Sequence, residues 1–262
     1  GSTDGSREWL RSLQNHRFHG IFAPQNLGFA AGCNLGIQEA RGDYLLLLNT
    51  DAFPRSGAIS KLVTYIKRNP DVGIVGPQLI YPDGRWQRST GRIPSPYAAF
   101  LDAMTLTSVQ HLLSAALWRS TGRWWRPHLV EYVDGACMLI RQRVVEEIGD
   151  LDERFFFFVE DAEFCDRARR HGWKVVHVPQ SQVVHLRGGS SSKKNYERAV
   201  RARMLSEEIF VRDSQGERAW HRFVFWRRVN FWWRMQWASL WGMRERYAKY
   251  EQTYRIYAES AR

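Results

Sequence analysis

What most constrains the fold of this chain is a set of short apolar runs alternating with helix-patterned segments. Residues 44–48 read Tyr-Leu-Leu-Leu-Leu, with no polar side chain at alternate positions. A strand-sized run of that kind has no exposed face, so it belongs to a strand buried on both sides. Ahead of it, residues 4–14 read as a capped amphipathic helix, residues 20–23 as a short strand and residues 28–40 as a small-residue helix. After it, residues 56–68 form a helix with Ile59, Leu62, Val63 and Ile66 on one face, and residues 72–75 a strand stopped by Gly76-Pro77. Tyr81-Pro82-Asp83-Gly84 signals a hairpin turn. Residues 96–118 are helical without clean periodicity, and residues 119–127 are a loop. The alternation then resumes as strand 136–140, helix 142–148, helix 161–171 and strand 175–179, before helices over 195–212 and 217–259. This order predicts an α/β fold, a mostly parallel sheet flanked by helices, with a C-terminal helical extension.

A chain of 262 residues, 44% hydrophobic and 25% charged, has enough apolar surface for a sizeable core without cross-links. That composition excludes a disordered chain, a collagen-like repeat or a disulfide-stapled miniprotein. Cys33, Cys137 and Cys165 share no metal-ligand spacing, which suits a reducing compartment. No apolar run approaches the ~18 residues of a membrane span. The net charge of +11 is uneven, because residues 218–262 hold ten Lys+Arg against three Asp+Glu. That segment also carries Trp220, Trp226, Trp232, Trp233, Trp237 and Trp241, half of the 12 tryptophans, and is chemically distinct from the rest.

Several residues point to chemistry. Asn49-Thr50-Asp51 comes directly after the apolar run, and polar groups at the carboxyl end of a buried strand are where open α/β sheets bind ligands. Asp51 there suits a hard cation bridging a diphosphate, yet it equally suits a cap for the helix near residue 56. Asn26 to Asn34, with Gly28 and Gly32, is a glycine-rich entry into a helix whose backbone amides can face phosphate or simply allow close packing. Glu160-Asp161 comes after four phenylalanines and a valine. A carboxylate walled by aromatics can be tuned as a general base, although an Asp there can also be an N-cap. His185 stands between Val183-Val184 and Leu186-Arg187-Gly188-Gly189-Ser190.

In order, these blocks are N-L-G-F-A-A-G-C-N at residues 26–34, L-N-T-D at 48–51, Gly135-Ala136, F-F-V-E-D at 157–161 and H-L-R-G-G-S at 185–190. Together they resemble the family 2 glycosyltransferases, and most of all the rhamnosyltransferase-like branch of bacterial surface-polysaccharide (O-antigen) synthesis. Residues 1–6 match the end of that family's D-N-x-S-x-D-G-S motif. The resemblance covers residues 1–190, implying a GT-A glycosyltransferase domain there and a helical, basic, Trp-rich extension over 191–262. It also implies that the family's first strands, which hold the nucleotide base, precede Gly1.

The same resemblance implies an inverting, metal-dependent glycosyltransferase (a hexosyltransferase, rhamnosyl transfer included) using Mg²⁺ or Mn²⁺. It implies movement of one sugar from a dTDP- or UDP-sugar donor to a lipid-linked or glycan acceptor. By that likeness Asp51 would bind the metal with His185 as a second ligand, and Asp161 would be the general base supported by Glu160. Asn26, Gly28, Asn34, Asn49, Asp51, Gly135 and Ala136 would lie along the nucleotide-sugar. The family's D-x-D is here Asn49-Thr50-Asp51, lacking the first carboxylate, and the Gln-x-x-Arg-Trp motif of processive synthases is absent. The alternative is a catalytically inactive fragment or glycan-binding remnant.

On a helical wheel Phe223, Trp226, Val229, Trp233, Trp237 and Leu240 form one stripe, with Arg227, Arg228 and Arg234 outside it. Trp and Arg at an apolar boundary predict an interfacial helix on an anionic membrane, placing the chain in the cytoplasm at the inner face of the plasma membrane. Packing onto the catalytic body or a dimer interface would also use the stripe. No nucleic-acid module is present, and nucleic acid is not an expected partner. Trp124 and Trp125 are candidates for an acceptor wall or for plain packing.

Overall fold

A computed structural model describes residues 2–13, 18–104, 125–186 and 196–260. The first helix, α1 (Ser6–Ser12), begins where Asp4 Oδ1 accepts from the Ser6 amide at 3.1 Å. Residues 20–23 form no strand. Helix α2 (Phe29–Glu39) leads into β1 (Tyr44–Leu48), and a short β2 (Ala52–Pro54) precedes α3 (Ala58–Arg68). Helix α3 buries Ala58, Leu62 and Ile66 as its period requires.

Strand β3 (Val72–Ile80) does not stop at Gly76-Pro77 but continues, buried at every position. Pro77 lacks an amide donor, and the ladder absorbs this as a register shift between Pro77 and Gln78. Gly76 is demanded by contact, since a Cβ there would lie 2.6 Å from the Val133 side chain. After the Tyr81–Gly84 turn, closed by the Gly84 amide on the Tyr81 carbonyl at 2.9 Å, come β4 (Thr90–Gly91) and α4 (Pro96–Ala103). Ser95 caps α4, accepting from the Ala98 amide at 3.1 Å. Most of the long helix expected over 96–118, together with Trp124 and the start of the loop after it, falls outside the described residues. Trp125, half exposed, packs edge-on to Trp86 at 5.5 Å.

Next are β5 (His128–Leu129), β6 (Tyr132–Val133), β7 (Cys137–Arg141), α5 (Gln142–Ile148), α6 (Glu160–Arg170) and β8 (Lys174–His185). The C-terminal part is α7 (Tyr196–Gln215), α8 (Glu217–Leu240) and α9 (Arg244–Glu259). The single helix expected over 217–259 breaks at Gly242, whose φ of 62° is left-handed. None of the described helices is long and apolar enough to cross a membrane.

The main sheet runs β1-β7-β3-β8-β2, with β5 added beside β8. It corrects the expectation of a mostly parallel sheet: β3–β8 is parallel, while β1–β7, β3–β7, β2–β8 and β5–β8 are antiparallel. Apolar runs report burial on both faces, not direction, and a strand such as β7 inserted between β1 and β3 is buried whichever way it points. One layer of core packs Ala30, Ile37, Val144, Phe164 and Ala168 against the sheet. The opposite layer packs Leu62 and Ile66 of α3 against Val75, Leu139 and Val176. A third cluster joins Phe155 and Val159 to Val211, Trp220, Phe223 and Tyr257 of the C-terminal helices.

Candidate active site

Strand β1 delivers Asn49 and Asp51 at its carboxyl end, where the Asn49 amide donates to the Ala136 carbonyl at 3.0 Å. Pairing of β2 with β8 sets Ala52 opposite His185, and the Leu186 amide donates to the Asp51 carbonyl at 3.0 Å. Asp51 and His185 therefore meet, with Oδ1 3.3 Å from Nε2. Asp51 does not cap α3, whose N-cap is Gly57.

Gln87 orients the imidazole. Its amide nitrogen donates to the carbonyls of His185 and of Ile80 (3.3 Å), so its oxygen faces His185 Nδ1 at 3.2 Å. That oxygen only accepts, and the network assigns the proton to Nδ1. In the neutral ring Nε2 then presents a lone pair to a carboxylate oxygen, two acceptors in contact. A proton or a cation between them relieves the repulsion, and metal-ligating imidazoles commonly donate their other ring N–H to an oxygen acceptor that fixes the tautomer, the place Gln87 Oε1 takes here. The pair thus fits a divalent cation. Among the described residues no group of three His, Cys, Asp or Glu side chains gathers for one. Oxygens of a bound ligand and water would fill the other positions, as is usual for Mg²⁺.

The same cleft, roughly 370 Å³, is lined on its other side by Glu160 and Asp161 at the start of α6. Asp161 Oδ2 accepts from the Gly135 amide at 3.0 Å and Oδ1 from its neighbour Ala162 at 2.8 Å. Burial, then the nearby Asp134 charge, pushes the Asp161 carboxyl above the usual carboxylate range against those hydrogen bonds. Glu160 is buried, and its Oε2 finds no hydrogen-bond partner among the described residues. Burial, then the Asp161 charge, pushes Glu160 up as well.

The turn that aims α6 into the cleft is strained. Phe158 and Val159 both sit at φ 73°, left-handed without being glycine, and a β-branched residue there is a true outlier. Each such residue costs about 1–3 kcal/mol and persists only where its surroundings over-determine it. Here the hold comes from buried Phe155 and Val159, from Phe157 against Phe158 at 4.2 Å, and from Arg203 over the Phe158 ring at 5.0 Å.

The raised carboxyls carry a stability consequence. A carboxyl whose folded pKa lies above its unfolded value stabilises the fold while protonated, and that contribution is lost as pH rises through the folded pKa. Glu160→Gln is therefore expected to match the parent in Tm near ~pH 4 and to exceed it near ~pH 9. Thermal unfolding at both pH values checks this, and an offset independent of pH would show that Glu160 holds no costly buried charge.

The block 26–34 is placed differently from expectation. Asn26 closes a local turn, accepting from the Gly28 amide at 3.0 Å. Asn34 is buried and clamps Leu151 through both its amide groups (2.9 and 3.0 Å), so it has no free group for a nucleotide. Phe29 does line the cleft, because its amide donates to the Phe156 carbonyl at 3.0 Å. Gly28 permits that docking: its φ is +89°, and a Cβ would lie 2.5 Å from the Phe156 carbonyl oxygen. Gly28→Ala is expected to destabilise the fold by about 1–3 kcal/mol in urea unfolding, and unchanged stability would contradict the close approach. Gly135 and Ala136 line the cleft, whereas Arg187 to Ser190 lie outside the described residues.

Several cleft residues are not marked by the sequence as part of a site. Asp134 adjoins the Gly135-Ala136 block and accepts from the Ala136 amide at 3.0 Å. Arg203, Glu207, Phe223 and Arg227 reach the cleft from α7 and α8; although Phe223 and Arg227 stand out on the helical wheel, nothing in the local sequence marks any of the four for the cleft. Arg227 donates to Glu207 Oε1 at 2.9 Å and to the Tyr257 hydroxyl at 3.2 Å, and Tyr257 donates to Glu207 Oε2.

Comparison with known proteins places the chain in a family. The family model described as "Glycosyl transferase family 2" matches residues 1–149. An N-acetylglucosaminyl-diphospho-decaprenol L-rhamnosyltransferase of Mycobacterium tuberculosis is 27% identical over 205 residues, 74% of this chain and 66% of the relative. This chain thus spans slightly under two thirds of that relative's length. The O-antigen biosynthesis protein RfbC of Myxococcus xanthus is 29% identical over 164 residues, 60% of this chain and 12% of that protein. In fold, a mannosyltransferase of Pyrobaculum calidifontis solved with GDP-Man and Mn²⁺ aligns over 100% of this chain and 75% of its own, with TM-score 0.57 and 13% identity. The matched segment carries β1 with Asp51, Gly28 and the Gly135-Ala136 wall of the cleft, and the chain belongs to glycosyl transferase family 2.

Proposed function

We propose that this chain transfers a single sugar, with inversion, from a nucleotide-sugar to a lipid-linked glycan acceptor in cell-surface polysaccharide synthesis. The observation that carries the proposal is one cleft with the Asp51–His185 pair on one side and the Glu160–Asp161 carboxyls on the other. Asp161 takes the proton of the acceptor hydroxyl as its oxygen attacks the anomeric carbon, while the bond from that carbon to the nucleotide diphosphate breaks. The Gly135 and Ala162 amides hold the Asp161 carboxylate in place, and Glu160 supports it from the adjacent position. Asp51 and His185 would hold Mg²⁺ or Mn²⁺, which neutralises the departing diphosphate. Asn49, Gly135 and Ala136 line the same cleft, on the donor side in this reading. Asn26 and Gly28 act through the docked Phe29.

A dTDP- or UDP-sugar is the donor class, and rhamnosyl transfer fits the likeness to a decaprenol-dependent rhamnosyltransferase. The exposed Trp232, Trp233, Trp237, Leu240 and Trp241 near the end of α8, flanked by arginines, would rest on the anionic inner face of the plasma membrane. The expected single stripe is divided: Phe223 is buried in the core while Trp233, Trp237 and Leu240 face out.

Calorimetric titration with UDP and dTDP, with and without Mn²⁺, tests the reading. Metal-dependent binding of either nucleotide supports it. Absence of binding for both would favour a glycan-binding remnant. Flotation with phosphatidylglycerol vesicles but not with neutral ones is expected for the tryptophan surface.

A further inference from the structure

A second concavity, roughly 710 Å³, lies beside the cleft, between the end of α4, the outer half of α8 and the start of α9. Its volume falls within the ~300–1,000 Å³ of sites that bury a small organic ligand. The two adjoin, since Asp102 lines both. One helix also walls both: Phe223 and Arg227 of α8 face the cleft, and Asn230, Trp233, Arg234 and Trp237 face the groove. Positions 223, 227, 230, 234 and 237 recur at steps of four and three, so they form one stripe of the helix. From Arg227 to Trp237 that stripe is about 15 Å long.

Polarity changes in one direction along it. The cleft end holds the buried Arg227–Glu207 ion pair, with Asp102 3.8 Å from Arg227. The middle holds Asn230. The outer end is walled by Ala103, Trp233, Trp237, Met243 and Tyr250, and Trp233 and Trp237 are 52% and 62% exposed. Arg234, over the Tyr250 ring at 5.8 Å, and Arg246 flank this apolar end. A molecule lying along the stripe would place a charged head in the cleft and a hydrocarbon tail between the tryptophans. Such a polar-to-apolar order matches an amphiphile and differs from the uniform apolar face of a helix-packing surface.

We propose that this groove seats the first isoprenoid units of the lipid-linked acceptor, holding the diphospho-sugar end in the cleft. The proposal rests on the lipid-linked acceptor class of the proposed function. It makes α8 a rail from the membrane edge to Asp161 and gives the C-terminal helices a part in acceptor selection.

The test uses geranylgeranyl diphosphate and inorganic pyrophosphate as probes, below the micelle threshold, in equilibrium dialysis with the whole chain. The parent is expected to bind the isoprenoid probe at least about tenfold more tightly than pyrophosphate, about 1.4 kcal/mol. Trp237→Glu and, separately, Trp233→Ser should remove that advantage and leave pyrophosphate binding unchanged, because both side chains are largely exposed and neither touches the catalytic groups. Equal affinity for the two probes would overturn the proposal, as would an advantage that survives both substitutions. Two further results would also overturn it. Loss of phosphatidylglycerol-vesicle binding with the isoprenoid advantage intact would assign the surface to the bilayer alone. A dimer dissolved by the same substitutions, in a parent with no isoprenoid advantage, would assign the groove to a second copy of the chain. Mn²⁺-dependent nucleotide binding, measured on the same preparations, separates the two levels. If it is present without an isoprenoid advantage, only the groove assignment falls; if it is absent with the advantage present, the transferase reading falls instead.

Discussion

Asp161→Asn is expected to lower kcat by about 10²–10⁴-fold, the usual contribution of a positioned general base, while nucleotide affinity stays within a few fold. Asparagine keeps the shape, and its amide oxygen can still accept from the Gly135 amide, which donates to Asp161 Oδ2 at 3.0 Å. It cannot take a proton from the acceptor. The parent should also show a rate that rises with pH, because burial and the Asp134 charge hold the Asp161 carboxyl above its ordinary value and only the deprotonated form is a base. The acidic limb of the profile should therefore sit higher than an ordinary aspartate would place it, and it should vanish in the residual activity of the variant. A pH profile of kcat/KM for both proteins provides the measurement. An unchanged acidic limb in Asp161→Asn would assign the proton transfer to another group.

Asp51→Ala should weaken Mn²⁺-dependent nucleotide binding by more than about 100-fold, beyond the ~10–100-fold expected for loss of an outer-shell partner. Gln87→Leu falls in that smaller range. It leaves Asp51 and His185 in place but frees the imidazole to turn, because the Gln87 oxygen no longer accepts from Nδ1 at 3.2 Å. Calorimetry with and without Mn²⁺ reads both variants. The order of the two effects is the sharp result. A Gln87→Leu loss equal to that of Asp51→Ala would contradict a role for Gln87 that acts only through His185, and equal affinity with and without Mn²⁺ in the parent would remove the metal from the reading altogether.

Much of the candidate site could be read from the chain because its residues cluster at strand and helix ends. Asp51 stands just after β1 and His185 ends β8, where a polar residue after an apolar run is conspicuous. Glu160-Asp161 stands at the start of α6 after four phenylalanines. The residues that local pattern does not mark are side chains from distant segments. Gln87 reaches His185 across a separation of 98 positions, and Arg203, Glu207 and Arg227 come from helices whose cleft-facing side only the packing reveals. Asn34 shows the opposite error: its place in a glycine-rich block suggested a ligand contact, but its amide is spent on the Leu151 backbone. A short polar side chain has the same appearance in sequence whether it meets a nucleotide or a buried carbonyl.

The sequence by itself determined that the chain is α/β and that β3 begins as a strand buried on both faces, and its resemblance to family 2 marked Asp51, Asp161 and His185 as candidates for the chemistry; the same expectation failed for β1, which lies at the sheet edge and leaves Leu48 exposed. Local pattern and residue type decide those matters, because burial and helical period are written into consecutive positions. Tertiary structure alone decided that β3 runs on through Pro77, that its neighbour β7 is antiparallel, that Phe158 and Val159 adopt a strained left-handed turn, and that one α8 stripe spans cleft and groove. Strand direction, the tolerance of strain and the face a helix presents depend on the free energy of packing against partners far along the chain. No local window contains that energy.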